Sequence, residues 1–93
     1  MVSEIPLVFS LSQNFPNPFN PTTIINYTIP TRSHVTLSVF NTLGQKVTEL
    51  VNGEKEAGDY SVTFDASGLA SGVYLYRMQA GSFVETKKLV LMK

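Results

Sequence analysis

Apolar residues in this chain recur at every second position, in segments that follow one another at about ten-residue intervals, and that period leaves little choice of architecture. Ile25, Tyr27 and Ile29 alternate with Asn26 and Thr28. Val35, Leu37 and Val39 alternate with Thr36 and Ser38. Tyr60, Val62 and Phe64 alternate with Ser61, Thr63 and Asp65. Successive side chains of a strand point to opposite faces, so each segment reads as a strand with one face on a core and one in water. β-branched and aromatic residues dominate these segments, as a pleated surface favours. No segment of helical length carries a 3.6-residue period.

The remaining strands are less regular. Leu7 to Leu11 is a short apolar run. In Gln45 to Val51, the residues Val47, Leu50 and Val51 do not share one parity, which predicts a bulge or a strand end. Val73 to Ala80 is apolar on both faces and reads as a central strand. Phe83 to Met92 closes on Leu89-Val90-Leu91-Met92. Asn41-Thr42-Leu43-Gly44 suits a type I turn between hairpin strands. Asn52-Gly53 favours a tight turn. Ala80-Gly81-Ser82 is short enough to join the last two strands as a hairpin, and Pro30 to Ser33 ends a strand. The sum is an all-β, seven-stranded antiparallel sandwich.

Two local motifs sharpen this. Leu69-x-x-Gly72-x-Tyr74 has the spacing of a tyrosine corner: Gly72 supplies a sharp backbone, Tyr74 lies back across the turn to bond a backbone group upstream, and Leu69 fills the core beneath. That corner predicts an Ig-like Greek-key arrangement. The second motif is Gln13 to Thr23, where Pro16, Pro18 and Pro21 fix φ and remove N–H donors. Residues before proline are pushed to extended geometry, so the segment is a rigid ordered loop and not a central strand. Phe15 and Phe19 are expected to plug it onto the sandwich. The competing reading is a sugar-stacking platform of Phe15, Phe19 and tyrosines.

Ninety-three residues suffice for one domain. The expected boundaries are residues 5–93, with 1–4 as a linker or added start. Net charge is zero, so no global field draws nucleic acid. The charge is uneven, because Arg77, Lys87, Lys88 and Lys93 face only Glu85 in residues 66–93. A solvated edge strand with protective lysines is the plainest account of that. No cysteine is present, which excludes disulfides and a thiol nucleophile. No apolar run approaches the roughly 20 residues of a membrane span, and Met1 to Glu4 does not open a signal peptide. His34 is the single histidine and sits at a strand start beside a turn. Asp59 and Asp65 bracket one strand and are too far apart to act as a pair. The expectation is no enzyme, no cofactor and no metal site.

With these residues in view, the chain resembles a known family. The run Leu11 to Thr23, the stretch His34 to Val47, Ala57-Gly58, Phe64 to Leu69, Ser71-Gly72-Val73-Tyr74 and Lys88 to Lys93 together are similar to the type A C-terminal sorting domain of the bacterial type IX (Por) secretion system. The resemblance implies an Ig-like sandwich carried by a larger exported protein. It implies passage through the periplasm, recognition by an outer-membrane translocon, removal by a sortase-type peptidase, and delivery of an N-terminal cargo of the same parent chain to the cell surface or medium. The family's Gly-x-Tyr falls on Gly72 and Tyr74. Its terminal recognition segment falls on Lys88 to Lys93, and the partner contact is expected at Lys87, Lys88, Leu89, Val90, Leu91, Met92 and Lys93, where strand addition to the backbone edge would supply affinity. The alternatives are a passive Ig-like spacer or a carbohydrate-binding module of an extracellular enzyme or adhesin. Edge strands also leave a route to a homodimer.

Overall fold

The computed structural model describes residues 6–93, so the expectations for residues 1–4 and for Ile5 lie outside the described residues. Seven strands run in chain order: β1 (Ser10–Leu11), β2 (Thr22–Ile29), β3 (Ser33–Phe40), β4 (Lys46–Lys55), β5 (Gly58–Asp65), β6 (Gly72–Ala80) and β7 (Phe83–Leu91). All pair antiparallel, in a three-stranded sheet ordered β1-β2-β5 and a four-stranded sheet ordered β4-β3-β6-β7. The neighbouring pair β3 and β6 is not consecutive in sequence, which is the Greek-key crossover of an Ig-like sandwich.

The inward residues of both sheets build one core. Ile25, Tyr27 and Ile29 from β2 meet Val35, Leu37 and Val39 from β3, with Tyr76, Met78, Leu89 and Leu91 completing the interior. These are the alternating positions of the sequence pattern, and β6 is central as its two apolar faces require. The β3–β4 hairpin closes on Asn41 to Gly44, where the Gly44 N–H donates to the Asn41 carbonyl at 3.0 Å. Gly44 has a φ of +84°, in the left-handed region that an L side chain avoids. The tyrosine corner is formed: the Tyr74 hydroxyl donates to the Ala70 carbonyl at 2.6 Å, and Leu69 packs half-buried against the core.

The structure corrects three expectations. Asn52-Gly53 is not a turn; it lies inside β4, with Asn52 opposite Thr36 and Gly53 opposite Val35. Pairing along β3 carries this strand through a local turn preference. The broken parity of β4 is, as expected, a matter of bulges, since the register skips Leu50 and Val47. β1 is shorter than the run Leu7 to Leu11: Leu7 and Val8 are exposed, and Phe9 instead stacks on Phe83 with ring centroids 5.4 Å apart. Phe15 does not plug the core. It is 69% exposed while Phe19 is 2% exposed. Phe15 exchanges two backbone hydrogen bonds with Ile24, each 3.0 Å, which aims its neighbour Asn14 inward and Phe15 itself outward.

Candidate functional site

β7 and the proline-rich loop meet along one side of the sandwich. Among the described strands β7 is an edge strand, with β6 as its neighbour in the sheet. Its outer edge is not open along its whole length. The Phe19 N–H donates to the Val90 carbonyl at 3.0 Å, and the Met92 N–H donates to the Phe19 carbonyl at 2.9 Å. The Val90 N–H reaches Asn17 Oδ1 at 2.9 Å, and Gln13 Nε2 donates to the Lys88 carbonyl at 2.7 Å. Proline residues cannot donate such bonds through nitrogen, so the loop meets β7 through donors at Gln13 Nε2 and the Phe19 N–H and through acceptors at Asn17 Oδ1 and the Phe19 carbonyl. The Phe19 ring seats the loop in the core against Phe64, centroids 6.0 Å apart.

Behind this seam lies a polar cluster inside the sandwich. The Tyr76 hydroxyl donates to the Ser12 carbonyl at 2.6 Å and accepts from the Asn14 N–H at 2.8 Å. Asn14 Nδ2 donates to Thr23 Oγ1 at 3.1 Å and to the Pro16 carbonyl at 3.2 Å, and the Thr23 hydroxyl also donates to Pro16 at 2.8 Å. No buried side-chain polar atom among the described residues lacks a partner. A satisfied buried network of this kind holds a loop in one arrangement, because any displacement strands polar groups in the interior. Burial pushes the Tyr76 phenol up to about 12, against the opposing bond from the Asn14 N–H. Sequence reasoning missed this cluster. Thr23 shares the inward parity of Ile25, Tyr27 and Ile29, and a polar residue at such a position was the available signal.

The recognition segment read from the sequence divides by face. Lys87, Leu89 and Leu91 point inward, and Leu89 and Leu91 are core residues. Leu89 and Leu91 are buried in the folded domain, where the end strand needs them to adhere to the interior. Lys87 sits at the inner rim in an ion pair with Glu85 at 3.0 Å. Inward charges of this type discourage edge-to-edge pairing. Lys88, Val90, Met92 and Lys93 lie outward or at the rim. Lys93 folds back, its Nζ donating to the Ser67 carbonyl at 2.6 Å and its N–H to Ser71 Oγ at 3.0 Å. Among the described residues, the backbone of β7 with neither the loop nor a strand alongside lies in its first half.

The other candidate residues are dispersed. The sugar platform is not assembled, since Phe19, Tyr27, Tyr74 and Tyr76 are buried. His34 is exposed, with its ring nitrogen 2.8 Å from Asn52 Oδ1. Asp59 and Asp65 lie at opposite ends of β5, opposite Thr28 and Thr22. Among the described residues no cluster of three or more acids and histidines could hold a metal ion, and no helix is long and apolar enough to cross a membrane. Residues 13–92 match the family described as the secretion system C-terminal sorting domain. No curated protein matches the chain.

Proposed function

The chain belongs to the family of secretion system C-terminal sorting domains, and from that premise we propose that it steers a larger cargo, joined ahead of it in one parent polypeptide, to the cell surface or the medium. Domains of this family are non-catalytic sorting signals that the type IX secretion machinery recognises. The specific partners in this reading are the outer-membrane translocon, which takes the folded domain from the periplasm, and a sortase-type peptidase that releases it. The observation that carries the reading is the extent of the match, which spans the proline-rich loop, the tyrosine corner and most of the end strand in one chain. A passive spacer is not favoured beside it.

The contact follows the division of faces. Lys88, Val90, Met92 and Lys93 meet the machinery, while Leu89 and Leu91 anchor the strand from behind and Lys87 guards its rim through Glu85. Truncating the last six residues removes two core leucines with the contact, so point variants separate recognition from folding. The test is a reporter carrying this chain at its C-terminus, expressed in a host with the type IX machinery. The reporter reaches the surface or medium only with the chain attached and only with an intact translocon. A Lys88→Glu, Lys93→Glu variant of unchanged thermal midpoint reduces that export. Equal export from a translocon-deficient host would overturn the sorting role.

A further inference from the structure

The outer face of the four-stranded sheet carries an apolar row that is discontinuous in sequence. Register places Phe40 beside Leu75, Leu75 beside Lys88, and Val73 beside Val90, all on the outward side. Val73 is 41% and Met92 59% exposed, with Leu75, Val90 and Phe40 half-buried around them. A shallow depression of about 220 Å³ opens between Phe40, Leu75, Arg77 and Thr86. Arg77 lies over the Phe40 ring at 5.0 Å, and Lys88 stands one strand away.

Charge on this face is asymmetric. Glu49 and Glu54 lie on β4, at the far edge, and both are engaged, Glu49 by Lys46 at 3.1 Å and Glu54 by Arg32 at 3.6 Å. Bonds from Lys46 and Asn52 hold the Glu49 carboxyl below its usual range. Neither Arg77 nor Lys88 has an acidic partner among the ion pairs of the described residues. Two cations without counter-charge flank an exposed apolar row, and a partner that fits must bring both apolar area and negative charge.

We propose that this face of β3, β6 and β7 is a docking surface for an acidic, apolar-bearing protein segment of the secretion machinery, with Arg77 and Lys88 as its charge anchors and Leu75, Val73 and Val90 as its apolar floor. This rests on the sorting role above and extends it beyond the end strand. Leu75 and Arg77 meet β7 across the β6–β7 hairpin, whereas Phe40 lies far from β7 in sequence and reaches the same patch through the β3–β6 register.

The experiment measures binding of the chain to detergent-purified type IX translocon at two salt concentrations, beside protein-free vesicles of outer-membrane lipid. The wild-type chain binds the translocon, loses affinity as salt rises, and does not bind the vesicles at comparable strength. Arg77→Glu with Lys88→Glu loses affinity by at least about tenfold at low salt, with an unchanged thermal midpoint. Should that pair fail to fold, Thr86→Glu places an acid between the two cations on an exposed position and gives the same direction of loss. Glu54→Lys, on the opposite edge, leaves binding unchanged. Wild-type affinity in the folded charge variants overturns the docking surface and leaves the sorting role standing. Equal binding to lipid vesicles overturns the protein partner, and no binding of the wild-type chain sinks both readings.

Discussion

The two long sides of the sandwich are built in opposite ways. On one, β1 and β7 are bridged by the proline-rich loop, whose backbone pairs with both Ile24 and the end of β7. On the other, β4 and β5 are the edge strands that line one groove, with no bridging segment among the described residues. Val47, Leu50, Val51, Tyr60, Val62 and Leu69 are half-buried along that second side. A groove of about 280 Å³ runs there between Thr48, Leu50, Phe64 and Leu69. The bridged side spends a loop to seal its core and the end of its edge strand. The unbridged side relies on bulges in β4 to spoil edge pairing. The difference shows that two sheets can be closed by chain crossing between them as well as by side chains filling the gap.

The largest expected contrast is between aromatic and aliphatic plugs on the two sides. Phe19→Ala should cost about 3–5 kcal/mol, as buried phenylalanines do. Leu50→Ala, half-buried on the open side, should cost about 1–2 kcal/mol. Denaturant unfolding measures both, and similar values for the two would erase the distinction between the sides.

The polar cluster gives the next contrast. Tyr76→Phe leaves the Ser12 carbonyl and Asn14 N–H without their buried partner, a loss of about 1–3 kcal/mol. Tyr60 bonds only the Glu56 carbonyl at an exposed position, so Tyr60→Phe should change stability by less than about 0.5 kcal/mol.

Titration sharpens the same point. The Tyr76 phenol is raised in the folded state from 10.0 to about 12. Below pH 10 both states are protonated and the folded state keeps its full stability. Between about pH 10 and 12 the unfolded chain loses this proton first, so stability falls with rising pH. Burial, with Tyr60 adding to it, raises Tyr27 as well, and that contribution has the same sign. Unfolding curves of Tyr76→Phe should keep the Tyr27 part of this alkaline slope and lose the rest. An unaltered slope would mean that Tyr76 does not hold its proton inside the seam. The smallest effect is expected at the surface: Arg32→Ala removes pairs to Glu54 and Glu56 that are exposed to water, and should shift stability by about 0–1 kcal/mol.

The strands were legible because alternation is a local property, and Ile25, Tyr27 and Ile29 declare their faces without knowledge of their neighbours. The tyrosine corner was legible for the same reason, since Gly72, Tyr74 and Ala70 lie within one turn. What could not be read depends on distant pairing. Phe15 and Phe19 are alike in sequence, and only the partners Ile24 and Leu91 decide that one faces water and the other the core. Asn52-Gly53 has the chemistry of a turn, yet β3 extends far enough to hold it in a ladder. The last strand was legible as a strand, but the division of its residues into inward and outward ones follows from the side of β7 that the core occupies. On the outer face of β6 and β7, the hairpin read from the sequence brings Leu75 beside Lys88, whereas Phe40 joins them through the long-range β3–β6 register.

The pairing of Phe19 with Val90 and Met92 has a consequence for biosynthesis. The loop is made early and must wait, its central aromatic unseated, until the final strand leaves the ribosome. A product interrupted before residue 88 has no Leu89 or Leu91 to finish the interior and no partner for the waiting loop. The address therefore comes into being only once β7 has been made, and folding of the domain reports that translation has passed that strand.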